Sequence, residues 1–202
     1  YSSSKACCEI LTESFRKSFI NSKNCRIATV RSGNCIGGGD WTEDRIVKDC
    51  VESFIYNKKL NIRSPKATRP WQHVIEPLHG YLKLVEKLNS KNGDNFIGSW
   101  NFGPSKINLS VLNLAKLGKK ILKSKSKIVI NKKIFKNKHE AKYLSLNSNK
   151  SLKKLKWKVY MSPEKSLNLT FNWFKCFYLN RKKTREIINL TLIQIKNFQK
   201  II

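Results

Sequence analysis

Tyr1 and Lys5 stand four residues apart in the run Y-S-S-S-K. On a helix, positions i and i+4 share a face, so a phenol and an ammonium can point into one site. The cation favours phenolate and lowers the tyrosine pKa, which makes the phenol a usable general base near neutrality. The same pair also fits the plain start of a surface helix. Further on comes Gly33-Asn34-Cys35-Ile36-Gly37-Gly38-Gly39-Asp40-Trp41, a glycine-rich stretch that suits either a ligand-facing amide at Asn34 or only a tight turn. Gly33 and Gly38 have P-loop spacing, but Gly39 and Asp40 follow instead of Lys and Ser/Thr, which excludes that phosphate cradle. The three histidines (His73, His79, His139) and six cysteines form no ligand set with metal spacing, so no metal site is expected.

These residues need elements to position them. Residues 1–20 read as a helix, with Ala6, Ile10, Leu11, Phe15 and Phe19 at helical spacing. Arg26–Arg31 reads as a short buried strand and 33–41 as a loop. Helices are expected over 46–56, 74–88, 110–122 and 162–178, and strands at 60–63, up to 102, at 127–130 and at 142–146. Residues 64–70 read as a loop, and 181–202 as an added amphipathic helix or a loosely held tail. Alternating strands and helices argue for an α/β chain.

Composition narrows the function classes. The 202 residues carry 40% hydrophobic side chains, enough for a core, and no apolar run reaches the length of a bilayer span. The charge of +28 is uneven: +6 over residues 1–100 and +22 over 101–202. Such a half could bind nucleic acid through its phosphates. Yet only 8 of the 41 basic residues are Arg, and the aromatics of this half fall at core-like spacing, which favours a solvated surface. The cysteines fit buried, reduced thiols of a cytoplasmic protein.

The order Y-x-x-x-K, G-G-G-D-W-T-E-D-R, A-T-R-P-W-Q-H-V, W-N-F-G-P and H-E-A resembles the extended short-chain dehydrogenase/reductase family, and within it the CDP-glucose 4,6-dehydratases. The match is dense over 1–104, sparser to about Tyr178 and absent beyond. It implies the C-terminal portion of a Rossmann-type doubly wound sheet with a small α/β substrate-binding domain. Residues 1–104 would end the Rossmann-type domain and begin the substrate region, 105–180 would form the small domain, and 181–202 a basic amphipathic extension. It implies bound NAD, a nucleotide-sugar substrate, CDP-glucose or that of another sugar-nucleotide dehydratase or epimerase, and a homodimer packed through the helices 6–19 and 46–56; no membrane partner is expected, and a basic nucleic-acid-binding module is the alternative from another class. Tyr1 would be the catalytic base, and Lys5 would lower its pKa and hold the nicotinamide ribose. Asn34 would contact the substrate, Arg45 and Arg69 the nucleotide diphosphate, where a guanidinium fork suits paired oxygens, and His139 the nucleotide. The NAD-binding glycine motif of the family would precede Tyr1, so the sequence reads as a piece of a longer protein. Lys156 stands where the family has Gly before a Trp, which questions that turn.

Overall fold

Among the described residues, each strand pairs in parallel with one far along the sequence. The computed structural model describes residues 2–20, 25–104, 109–130, 143–179 and 184–202. Strand β1 (Ala28–Ser32) pairs with β5 (Gly98–Phe102), with Ala28 opposite Gly98 and Ser32 opposite Phe102. Strand β2 (Asn34–Ile36) pairs with β4 (Trp71–His73), and β3 (Leu60–Ile62) with β6 (Ile128–Ile130). Parallel pairing demands long crossovers. Helices α2 (Ile46–Ile55), α3 (Ile75–Leu88) and α4 (Val111–Ile121) supply them in sequence, as the α/β expectation requires. Ser110 caps α4, its hydroxyl accepting from the Asn113 amide at 3.2 Å.

Two strands, β2 and β4, lie where the sequence gives only loop and linker. Three residues are too few to display a period of two. What holds them extended is tertiary: Trp71, Gln72 and His73 are all buried, and the Gln72 side-chain amide donates to the Phe102 carbonyl at 2.8 Å. The expected strand at 142–146 is corrected. Lys142 lies outside the described residues, and Tyr143 to Leu146 form no strand beyond a single bridge from Tyr143 to Thr68. Tyr143 and Leu144 are exposed, so nothing rewards a ladder there. A short helix, α5 (Asn149–Leu155), follows instead.

Two apolar clusters organise the molecule, and each draws on residues before and after 104. The larger joins Cys50, Val51 and Phe54 of α2, Leu60 and Ile62 of β3, Leu114 and Ala115 of α4, and Leu167, Phe171 and Phe174 of α6 (Pro163–Leu179). The smaller joins Leu84, Trp100, Phe102, Leu155 and Trp157. Glu76 ties α3 to the segment after α5. It is fully buried, and its carboxylate accepts the Tyr160 amide at 3.0 Å and the Met161 amide at 2.7 Å. Burial pushes its carboxyl up, against the pull of those two amides and Lys165. The turn questioned by Lys156 does form. Lys156 takes the left-handed conformation (φ 53°, ψ 28°) as the C-cap of α5.

Residues 184–199 are helical (α7, Thr184–Gln199), which decides between helix and tail. Phe198 is buried, the Trp173 indole donates to Thr191 at 2.9 Å, and the Gln194 amide donates to the Leu169 carbonyl at 3.1 Å. Helix α1 (Ser2–Phe19) buries none of its residues and exposes Ile10, Leu11, Phe15 and Phe19. Helix α2 behaves otherwise. Its apolar side enters the core, so the reading of 46–56 as an exposed docking face is corrected.

Candidate active site

A cleft of about 230 Å³ opens where β2, β3 and the start of α2 converge. Asn34 enters it as the first residue of β2, held by the register Asn34 opposite Trp71. Gly33 lets Pro70 come close there: a side chain at this position would strike the Pro70 carbonyl. The glycine stretch runs on to Asp40, whose carboxylate accepts the Thr42 amide at 3.1 Å in a local turn. Asp44 then adopts φ 59°, a left-handed conformation that Asp tolerates, and Arg45 follows at the head of α2.

Among the described residues, three guanidinium groups line the cleft: Arg45, Arg63 and Arg69. Arg69 is 8% exposed and its Nη1 donates to the Thr68 carbonyl at 2.8 Å. Guanidinium groups present paired N–H donors in a fixed fork, which makes this wall suited to phosphate oxygens. Asp40, Asp44, Asp49 and Lys48 complete the charged lining. Burial pushes the Asp49 carboxyl up; Lys48 and Arg63 oppose it, while Asp44 and Glu52 reinforce it. Cys35 also lines the cleft; its thiol donates to the Ser32 hydroxyl at 3.3 Å, and burial pushes that thiol up, so it stays protonated.

The residues chosen from sequence divide into three groups. Asn34, Arg45 and Arg69 meet in this one cleft. Lys5 lies on α1, which lines no part of it. Glu9, one turn beyond Lys5 on the same face, accepts from the Thr29 and Ser99 hydroxyls at 2.8 Å each, which ties α1 to the β1–β5 pair that leads into Asn34. Tyr1 and His139 lie outside the described residues. His73 is buried in β4 and does not line the cleft. Arg63, Asn61 and Asp49 also line the cleft, though no motif of the sequence points to them. A signal for one of them exists: Leu60 and Ile62 are the apolar positions of a short strand, so its period of two sets the polar Asn61 between them on the other face.

No family model matches the sequence. The chain is 35% identical over 195 residues to CDP-glucose 4,6-dehydratase of Salmonella typhimurium, which covers 88% of this chain and 50% of that protein. Among solved structures, UDP-glucose 4-epimerase of Thermotoga maritima with UDP-glucose superposes with a TM-score of 0.72 at 21% identity, covering 87% of this chain and 53% of that one. UDP-glucuronic acid 4-epimerase of Bacillus cereus, in complex with UDP-glucuronic acid and NAD, gives 0.69 at 19% identity, over 84% and 50%. The chain therefore spans about half the length of the proteins it matches.

Proposed function

From a chain that is by sequence and fold a relative of the extended short-chain dehydrogenase/reductases of the CDP-glucose 4,6-dehydratase type, we propose the substrate-binding part of a sugar-nucleotide 4,6-dehydratase, a hydro-lyase acting on CDP-glucose. The observation that supports this reading most is the convergence of Asn34, Arg45 and Arg69 in one cleft. Its volume of about 230 Å³ is below the roughly 300–1,000 Å³ of clefts that enclose a whole ligand. It suits the nucleotide end of the substrate, with the hexose reaching toward the β1–β5 side.

In this reading Arg45 and Arg69 grip the diphosphate, and Asn34 orients the sugar. Tyr1 removes the proton of the C4 hydroxyl, and the Lys5 ammonium keeps the phenol acidic enough to do so. The cofactor NAD supplies the hydride acceptor at C4 and the donor at C6. Of the groups that would hold it, this chain offers Lys5, exposed on α1 one turn before Glu9, and Tyr1. The 4-ketone acidifies the C5 proton, water leaves across C5–C6, and a 4-keto-6-deoxy sugar results. The α1 face of Ile10, Leu11, Phe15 and Phe19 is the surface a homodimer would use.

Isothermal titration of the chain with CDP-glucose tests the cleft. Arg45→Gln and Arg69→Gln are each expected to weaken binding about tenfold or more, the size of a lost charge-assisted hydrogen bond. The full-length protein, given NAD and CDP-glucose, is expected to form the 4-keto product, and the chain alone to form none. Unaltered affinity in both variants, or a full-length protein that turns over only another nucleotide sugar, rejects the assignment.

A further inference from the structure

The cleft holds an acid that phosphate binding does not call for. Asp40 is occupied by its own turn, and Asp44 shapes the backbone before Arg45. Asp49 sits in the first turn of α2, half-buried, and lines the cleft together with Asn61 of β3 and Arg63, the residue just after that strand. A carboxylate repels a diphosphate, so its useful partner in a nucleotide site is a hydrogen-bond donor. Arg63 is near enough for its charge to act on Asp49 and supplies donors only. The cleft lining therefore presents an acceptor and, within reach of its charge, a fork of donors.

Cytosine carries the complementary edge: an exocyclic amino donor beside a ring-nitrogen acceptor and a carbonyl acceptor. Uracil carries the same outline with the first two reversed. It would set a carbonyl against the carboxylate and an N–H against the guanidinium. We propose that Asp49 and Arg63 select the base of the nucleotide, Asp49 accepting from the cytosine amino group and Arg63 donating to the acceptors next to it. Asn61 can donate or accept, so it tolerates either base. This assignment rests on the cleft being the nucleotide site.

Titration of the 202-residue chain with CDP and with UDP tests it. CDP is expected to bind about tenfold more tightly, the discrimination one correct acceptor–donor pairing gives. Asp49→Asn should lose about tenfold in CDP affinity and keep or gain UDP affinity, because the amide can turn its N–H₂ to the uracil carbonyl. Retained UDP binding also reports that the variant is folded. Arg63→Gln should weaken CDP more than UDP. Equal binding of the two nucleotides by the unaltered chain overturns base selection while leaving the nucleotide site standing. An equal change for both in Asp49→Asn does the same, since the carboxylate then serves only the start of α2. If neither nucleotide binds, the reading of the cleft falls together with this inference.

Discussion

Replacing His73 by Asn should remove most of the acid sensitivity of the fold. His73 is 5% exposed at the end of β4, opposite Ile36 of β2. Its Nδ1 accepts the Ile75 amide at 3.4 Å, and its Nε2 has no hydrogen-bond partner among the described residues. Burial lowers its pKa from the ordinary 6.5 to about 4. The imidazole is therefore neutral in the fold and becomes charged on unfolding. Between pH 6.5 and 4 the unfolded chain binds more protons, so stability rises with pH across that window and is lost as the pH falls through it. The separation corresponds to about 3 kcal/mol in full, of which about 2 kcal/mol has gone by pH 5. His79, lowered by burial and Lys83, acts in the same direction. Asp49 and Glu76, both raised by burial, act in the opposite one, their share falling as pH rises above the ordinary carboxylate range. All three are present in both proteins, so the difference between the two pH curves isolates His73. Asparagine keeps an acceptor near the Nδ1 position, and its packing cost is the same at every pH. Urea unfolding followed by tryptophan fluorescence from about pH 7.5 to 5 gives both curves. The variant is expected to lose about 2 kcal/mol less than the parent over this range. Parallel curves would refute the argument, since the imidazole would then titrate alike in both states.

Two further substitutions probe the backbone. Lys156→Gly places the residue suited to φ 53° at the end of α5 and is expected to stabilise the chain by about 1 kcal/mol, raising Tm by roughly 2–4 °C in a thermal melt; an unchanged or lower Tm contradicts the strain assigned there. Gly38→Ala drives a methyl into the Trp173 indole and is expected to cost about 1–3 kcal/mol and to shift the tryptophan emission, loosening the link from Trp173 to Thr191 on α7; an unaltered melt and spectrum would mean that the loop yields without strain.

Long periodic segments declared themselves. Helices α1, α2, α3, α4 and α6 were legible because apolar side chains recur every three or four residues along them, and β1, β3 and β6 because short apolar runs end in polar ones. The choice of Asn34, Arg45 and Arg69 came from motif order, which specifies residue types but no distances. That three positions spread over 36 residues share one cleft follows from β2 lying beside β4, a pairing of three residues each that no local pattern reveals. Glu76 shows the same division. In sequence it is one acid in a helix; in the fold its carboxylate meets two amides more than 80 residues away. Asp49 and Arg63 likewise become neighbours only when β3 packs under α2. Local periodicity and residue chemistry, acting over one or two turns, are written in the chain; contacts between distant segments arise from burying their apolar faces together, and these decided which polar groups face one another.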